Sequence, residues 1–287
     1  MKTIIKGIRS AIGLSQQDFA DVIGVTFAAV NRWENGHATP NRLAQARLLA
    51  FCKEHGIPLR ELIQEKISHA VSQLSPAQDR MILYHGSKSG IVGAIAPISR
   101  ERCDFGRGFY LGTQPEQPLT LICDFEKSKF YVVSLNLDGL KVLHVPANIE
   151  WAMLVAYHRE KMDRIRGSAL YTKYQSMLEG YDVVIGSIAD DRMFYVLDNF
   201  FLGNVTDAAL VNSLSALNLG EQVVCITQEA CDAVKIELEL PLSDLERKCL
   251  QELSAQNRER GVALANTICR EYRREGRFFD EILESTE

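Results

Sequence analysis

The chain has 287 residues, 46% of them hydrophobic and 24% charged, with a formal net charge of −5. These proportions belong to a globular protein and exclude a collagen-like, disordered or low-complexity chain. No apolar run reaches the roughly 20 residues that a membrane helix needs, and the first residues turn polar too early for a signal peptide. A cytoplasmic protein of about two domains, without membrane contact, is expected. Seven cysteines without CxxC spacing predict neither a zinc site nor a disulfide framework, and no metal is expected. Residues 1–75 carry nine Lys and Arg against six Asp and Glu, a net of +3; the remainder carries 23 against 31, a net of −8. A basic module joined to an acidic body points to two different partners.

Residues 1–70 read as short helices. Ile4, Ile5, Ile8 and Ile12 share one helical face that ends near Gly13. Ser15 has the chemistry of an N-cap for a second helix reaching Ile23. Gly24 then supplies a left-handed turn. Thr26 caps a third helix with Val30 and Trp33 at core spacing. A fourth helix follows Pro40, and Leu59, Leu62 and Ile63 close the bundle.

The string LSQQDFADVIGVTFAAVNRWENGHATP resembles the Xre/Cro-repressor family almost position by position, over a quarter of the chain. The resemblance implies that the third helix enters the DNA major groove, presenting Phe27, Ala28, Ala29, Asn31 and Arg32, while Gln16 and Gln17, also counted as DNA-binding, cap the backbone at the start of the second helix. Asn and Gln pair with adenine, Arg with guanine, and Ala or Phe touch a thymine methyl. The modest charge implies that tight binding needs a homodimer. A helical bundle used only for protein contacts is the competing reading. Residues 71–80, polar and containing Pro76, read as a linker.

From residue 81 the hydrophobic period changes. MILYHGS, FGRGFYLGT, KFYVVSLNL, LKVLHV, YDVVIGS, EQVVCIT and AVKIELEL are strand candidates. Helical stretches lie between them at Ile149 to Lys161, Ala169 to Leu178, Met193 to Leu202 and Asp207 to Leu217. The mixture predicts an α+β domain over residues 81–240. GxGxxG following a strand, GxxxxGK[ST], GxSxG and HExxH are all absent, which argues against the corresponding nucleotide-binding and hydrolase sites.

Two strings carry chemistry instead: Tyr84-His85-Gly86-Ser87 and Asp104-Phe105-Gly106-Arg107-Gly108-Phe109-Tyr110-Leu111. A His before a Gly offers a ring donor and an open backbone amide. A Tyr beside glycines presents an unshielded ring face. In this order the strings resemble the ADP-ribosyltransferases of the diphtheria-toxin and poly(ADP-ribose)-polymerase class, which mark their site with His, Tyr and Glu on three strands of a split β-sandwich. YHGS, DFGRGFYL and VIGSIADD (184–191) also resemble a bacterial family of domains of unknown function suspected to be ADP-ribosyltransferase toxins.

That resemblance implies NAD as co-substrate. His85 would bond a ribose hydroxyl, Gly86 the nicotinamide carboxamide with Ser87 as helper, and Tyr110 would stack on the nicotinamide. Glu221, opening an apolar strand, would be the third catalytic residue. Gln222 is the alternative for that place. Arg107 has the chemistry to meet a pyrophosphate and equally that of a solvated cation. Asp190 and Asp191 complement a helix N-terminus, with acceptor binding as the other reading. His144 and His158 have no partner that the sequence names. Residues 241–287 read as a charged helical tail with Arg270, Arg273, Arg274 and Arg277 as a basic cluster.

The expected architecture is an all-α helix-turn-helix domain, an α+β ADP-ribosyltransferase-like split β-sandwich and a helical tail. The expected function is an NAD-dependent ADP-ribosyltransferase fused to a sequence-specific DNA-binding domain, as a self-regulating toxin–antitoxin or defence module. The alternatives are a regulator whose body binds NAD or ADP-ribose as a sensor, and a scaffold with an inactive transferase fold. The acceptor stays open between protein, RNA, DNA, a metabolite and water.

Overall fold

The computed structural model describes residues 1–75, 79–189, 191–217 and 220–284; Pro76 of the expected linker lies outside them. Five helices open the chain: α1 (Lys2–Ala11), α2 (Gln16–Ile23), α3 (Phe27–Glu34), α4 (Arg42–Glu54) and α5 (Leu59–Ser72). Their starts follow the expected capping chemistry. Ser15 Oγ accepts from Asp18 N and Thr26 Oγ1 from Ala29 N, each satisfying a helix-end amide. Gly24 ends α2 at φ +67°, a conformation that costs a side-chain-bearing residue about 1 kcal/mol. Ile4, Ile5, Ile8, Phe19, Val30 and Leu48 are buried together, with Phe19 edge-on to Phe51 at 5.6 Å.

The body contains seven strands: β1 (Arg80–Ser87), β2 (Phe109–Gly112), β3 (Lys129–Asn136), β4 (Val142–Val145), β5 (Val183–Ser187), β6 (Glu221–Cys225) and β7 (Val234–Pro241). All seven expected strands are present. Among the described residues they form one sheet in the order β4-β5-β6-β2-β1-β3-β7. Only β4 and β5 run parallel; the other neighbours are antiparallel. The β1–β2 contact is recorded at a single pair, Tyr84 with Gly112, whereas β1 and β3 pair along all eight residues of β1. The sheet is therefore weakly joined at its centre, where two halves meet.

Helices α6 (Glu116–Ile122), α7 (Ile149–His158), α8 (Ala169–Ser176), α9 (Asp191–Phe201), α10 (Asp207–Leu217) and α11 (Gln228–Asp232) connect the strands. Helix α7 stops three residues before the expected Lys161, because Glu160 adopts φ 59° and turns the chain. Helices α6 and α11 were not expected; both are too short to display an apolar period. Trp151, Leu154, Val184, Val196, Phe200 and Val224 build the core between the helices and the β4-β5-β6-β2 half. The other face carries a smaller core with Leu83, Phe109, Leu111, Val133 and Val223.

The expected tail forms α12 (Asp244–Glu271) and α13 (Phe279–Glu284). The beginning of α12 packs Leu245 and Leu250 into the cluster that holds Ile63, Ile67, Leu119, Phe130 and Val132. That cluster is continuous from the first five helices to the sheet. Further along, Ala265 enters the core of the body. No helix among the described residues is long and apolar enough to cross a membrane.

Candidate functional site

The two chemistry-bearing strings meet where β1 and β2 part. His85 Nδ1 lies 2.8 Å from the Tyr110 carbonyl oxygen. A carbonyl only accepts, so Nδ1 carries the proton and donates. The ring stacks on Phe109 at 4.4 Å. Burial lowers the His85 pKa below its ordinary value, and the bond to Tyr110 offsets this in part. A neutral ring with its proton on Nδ1 leaves Nε2 as a lone-pair acceptor.

Gly86 follows in the ladder opposite Phe130. A Cβ there would stand 2.5 Å from the Pro118 carbonyl oxygen and 2.8 Å from Ile122 Cγ2. Helix α6 thus lies directly on the strand, and only glycine permits that approach. Ser87 is half-buried at the end of β1, opposite Lys129.

The half-buried Tyr110 turns its hydroxyl to the backbone of its own motif. It donates to the Gly106 carbonyl at 2.8 Å and accepts from Phe105 N at 3.0 Å. Burial and then the neighbouring Asp104 push its pKa up. Gly106, at φ +72°, leaves no room for a Cβ, which would meet His158 Nδ1 at 2.8 Å. Arg107 is exposed and pairs with Glu101.

The third position divides between two neighbours. Glu221 is exposed, and no partner for its carboxylate is found among the described residues; its backbone meets Thr113. Gln222 is 7% exposed, and its Nε2 donates to Asp104 Oδ2 and to the Ser187 carbonyl, both at 3.0 Å. Asp104 Oδ1 is paired with Arg159, whose guanidinium lies 4.1 Å from the Phe194 ring centroid. Directly opposed residues share a face of the sheet. The pairs Tyr84–Gly112 and Gly112–Gln222 therefore set Tyr110 and Gln222 on one face and His85 and Glu221 on the other. The structure brings His85, Gly86 and Tyr110 to one junction, with Glu221 and Gln222 on the strand beyond β2. Asp104 and Arg159 were not singled out in the sequence. Asp104 stands inside the quoted motif, but nothing linear connects it to residues 159 and 222. Asp190 lies outside the described residues; Asp191 opens α9.

In the first domain Phe27, Ala28 and Arg32 are exposed on α3, and Gln17 is exposed on α2, bonded to Asp21. Gln16 and Asn31 are tied inward. Asn31 Nδ2 donates to Gln16 Oε1 at 3.2 Å, and Gln16 Nε2 to Glu34 at 2.7 Å. Glu34 also pairs with Arg9 at 2.7 Å.

Residues 5–62 match the helix-turn-helix family model. Residues 81–236, just over half of the chain, match the model of a family described as protein of unknown function (DUF3990). No curated protein and no solved structure matches. With a helix-turn-helix DNA-binding domain in front of a mixed α/β domain, the chain belongs to the family of proteins of unknown function DUF3990.

Proposed function

We propose that the body is an NAD-dependent ADP-ribosyltransferase and that the helix-turn-helix domain represses the chain's own operon, as in a toxin–antitoxin or defence module. One observation carries the reading. At the parting of β1 and β2, a neutral His85 is held by the Tyr110 carbonyl and keeps Nε2 as an acceptor. A ribose hydroxyl is the donor such an acceptor fits. The adjoining Gly86 and the half-buried Tyr110 ring suit a planar amide-bearing group. In the reaction, the bond between ribose C1′ and the nicotinamide nitrogen breaks, and nicotinamide leaves with the electron pair. The acceptor attacks C1′ and gives up its proton. Positive charge grows on the sugar meanwhile, and the Glu221 carboxylate stabilises it. Such electrostatic help is commonly worth several kcal/mol.

The test is incubation of the purified full chain with adenine-labelled NAD and cell lysate, reading both label transfer and nicotinamide release. The absence of both label transfer and nicotinamide release above a no-protein blank removes the transferase reading. A second reading is favoured by Glu221 itself. A carboxylate without a partner among the described residues is not held in place for catalysis, which suits a sensor that binds NAD or ADP-ribose without turnover. Calorimetric NAD binding without nicotinamide release selects the sensor.

A further inference from the structure

We infer that Asp104 is a positioning residue of the transferase site; the inference rests on the function proposed above. Asp104 is 8% exposed, and burying a charge is costly unless it is paired and fully hydrogen-bonded. Here every bond serves a different element. Oδ1 takes Arg159 at the end of α7, and Oδ2 takes Gln222 Nε2 on β6. The second proton of Gln222 Nε2 goes to the Ser187 carbonyl at the end of β5, which also accepts from Trp151 Nε1 at 2.9 Å. The peptide following Asp104 supplies the Phe105 N–H that bonds the Tyr110 hydroxyl.

One carboxylate therefore ties the Tyr110 loop to the start of the strand that carries Glu221. Apolar residues of equal volume would serve stability as well or better. The polar arrangement instead has direction: acceptor at 104, donors at 159 and 222. It fixes how the loop stands against β6, and so where Tyr110 and Glu221 sit relative to one another. A displacement of about 1 Å in such a frame commonly costs on the order of 100-fold in rate.

The test compares wild type, Asp104→Asn, Gln222→Glu and the exchanged pair Asp104→Asn with Gln222→Glu, all as full chains. Nicotinamide release gives kcat and KM for NAD, and thermal unfolding gives Tm. Asn turns a donor toward Gln222 or Arg159, and Glu sets two carboxylates together, so each single change mismatches the network. The expected kcat loss is about 100-fold for each, with KM for NAD within about threefold. The exchanged pair restores donor against acceptor between 104 and 222, while the Ser187 carbonyl keeps only its Trp151 donor, and it regains at least about tenfold over either single variant.

Unchanged kcat in the single variants overturns the inference. So does a loss carried wholly by KM and Tm, or an exchanged pair no better than the singles. If a single variant fails to fold, the exchanged pair decides: folded and active supports the inference, folded and inactive overturns it. A wild-type chain that releases no nicotinamide removes the transferase reading and this inference together. An active wild type with equally active variants removes this inference alone.

Discussion

Glu221 and Gln222 are adjacent, yet their surroundings separate their roles. The exposed Glu221 has no side-chain bond to lose among the described residues, so Glu221→Gln should shift unfolding stability by no more than about 0.5 kcal/mol. It removes the charge that gains value as the sugar becomes cationic, so nicotinamide release should fall about 100- to 1,000-fold with NAD binding retained. Gln222→Ala should behave oppositely. It leaves the buried Asp104 oxygen and the Ser187 carbonyl short of a donor, which costs about 1–3 kcal/mol by chemical denaturation. If Glu221→Gln retains full turnover, Glu221 is not the catalytic carboxylate.

His85 yields a pH prediction. Its folded pKa is lowered, so the ring stays neutral through its ordinary value of 6.5 and below it. NAD affinity, if it uses Nε2 as acceptor, should be flat from pH 8 to about 6.5 and fall only at lower pH. The same lowering means the unfolded chain takes up a proton first, so this group's share of stability is present above pH 6.5 and lost as pH falls beneath it. Calorimetric titrations at several pH values check the affinity; a midpoint above 6.5 contradicts a neutral His85.

Elements built on local chemistry were legible in the sequence. Ser15 and Thr26 cap where their residue types predict, because a cap is decided within three residues. All seven strands of the sheet stood out through β-branched and aromatic runs. What stayed hidden depends on tertiary pairing. Asp104 and Gln222 lie 118 positions apart, and no periodicity relates them. Asn31 reads as an outward-facing group, yet it bonds Gln16, which in turn donates to Glu34, a choice made only once α2 and α3 cross. Helix α12 was expected as part of a helical tail, but its packing partners were not legible, since a helix covered on different sides along its length shows no single apolar stripe. For α3, exposure leaves Arg32 as the open cation. Arg32→Ala should weaken binding to the specific operator by about 1–3 kcal/mol and leave nonspecific duplex binding nearly unchanged, measured by fluorescence anisotropy at fixed salt. Equal losses on both duplexes would mean that Arg32 meets phosphate and not a base.

At the scale of the whole molecule, α12 joins the DNA-binding domain to the body. Lys66 of α5 reaches Glu246 of α12 at 2.6 Å, with side-chain exposures of 15% and 1%. Ser243 completes a capping box with Glu246, and Gln45 of α4 accepts from Leu245 N. Across the same seam Arg60 of α5 and Asn257 of α12 both bond Glu116 of α6. Burial pushes the Glu246 carboxyl up, but Lys66 and the Ser243 bonds outweigh it and hold the pKa below its ordinary 4.5. Glu246→Gln strands a half-buried ammonium and should cost on the order of 3 kcal/mol at pH 7, read by urea unfolding. The sign with pH follows from the depressed pKa. The carboxylate's contribution is complete above about pH 4.5 and disappears as pH falls through the folded pKa, so wild type and variant should converge in acid. Because the pair and the apolar cluster straddle both domains, the variant should lower the urea midpoint for loss of operator binding and that for body unfolding together. Two separate transitions, with only one of them displaced, would show that the domains fold independently despite their shared core.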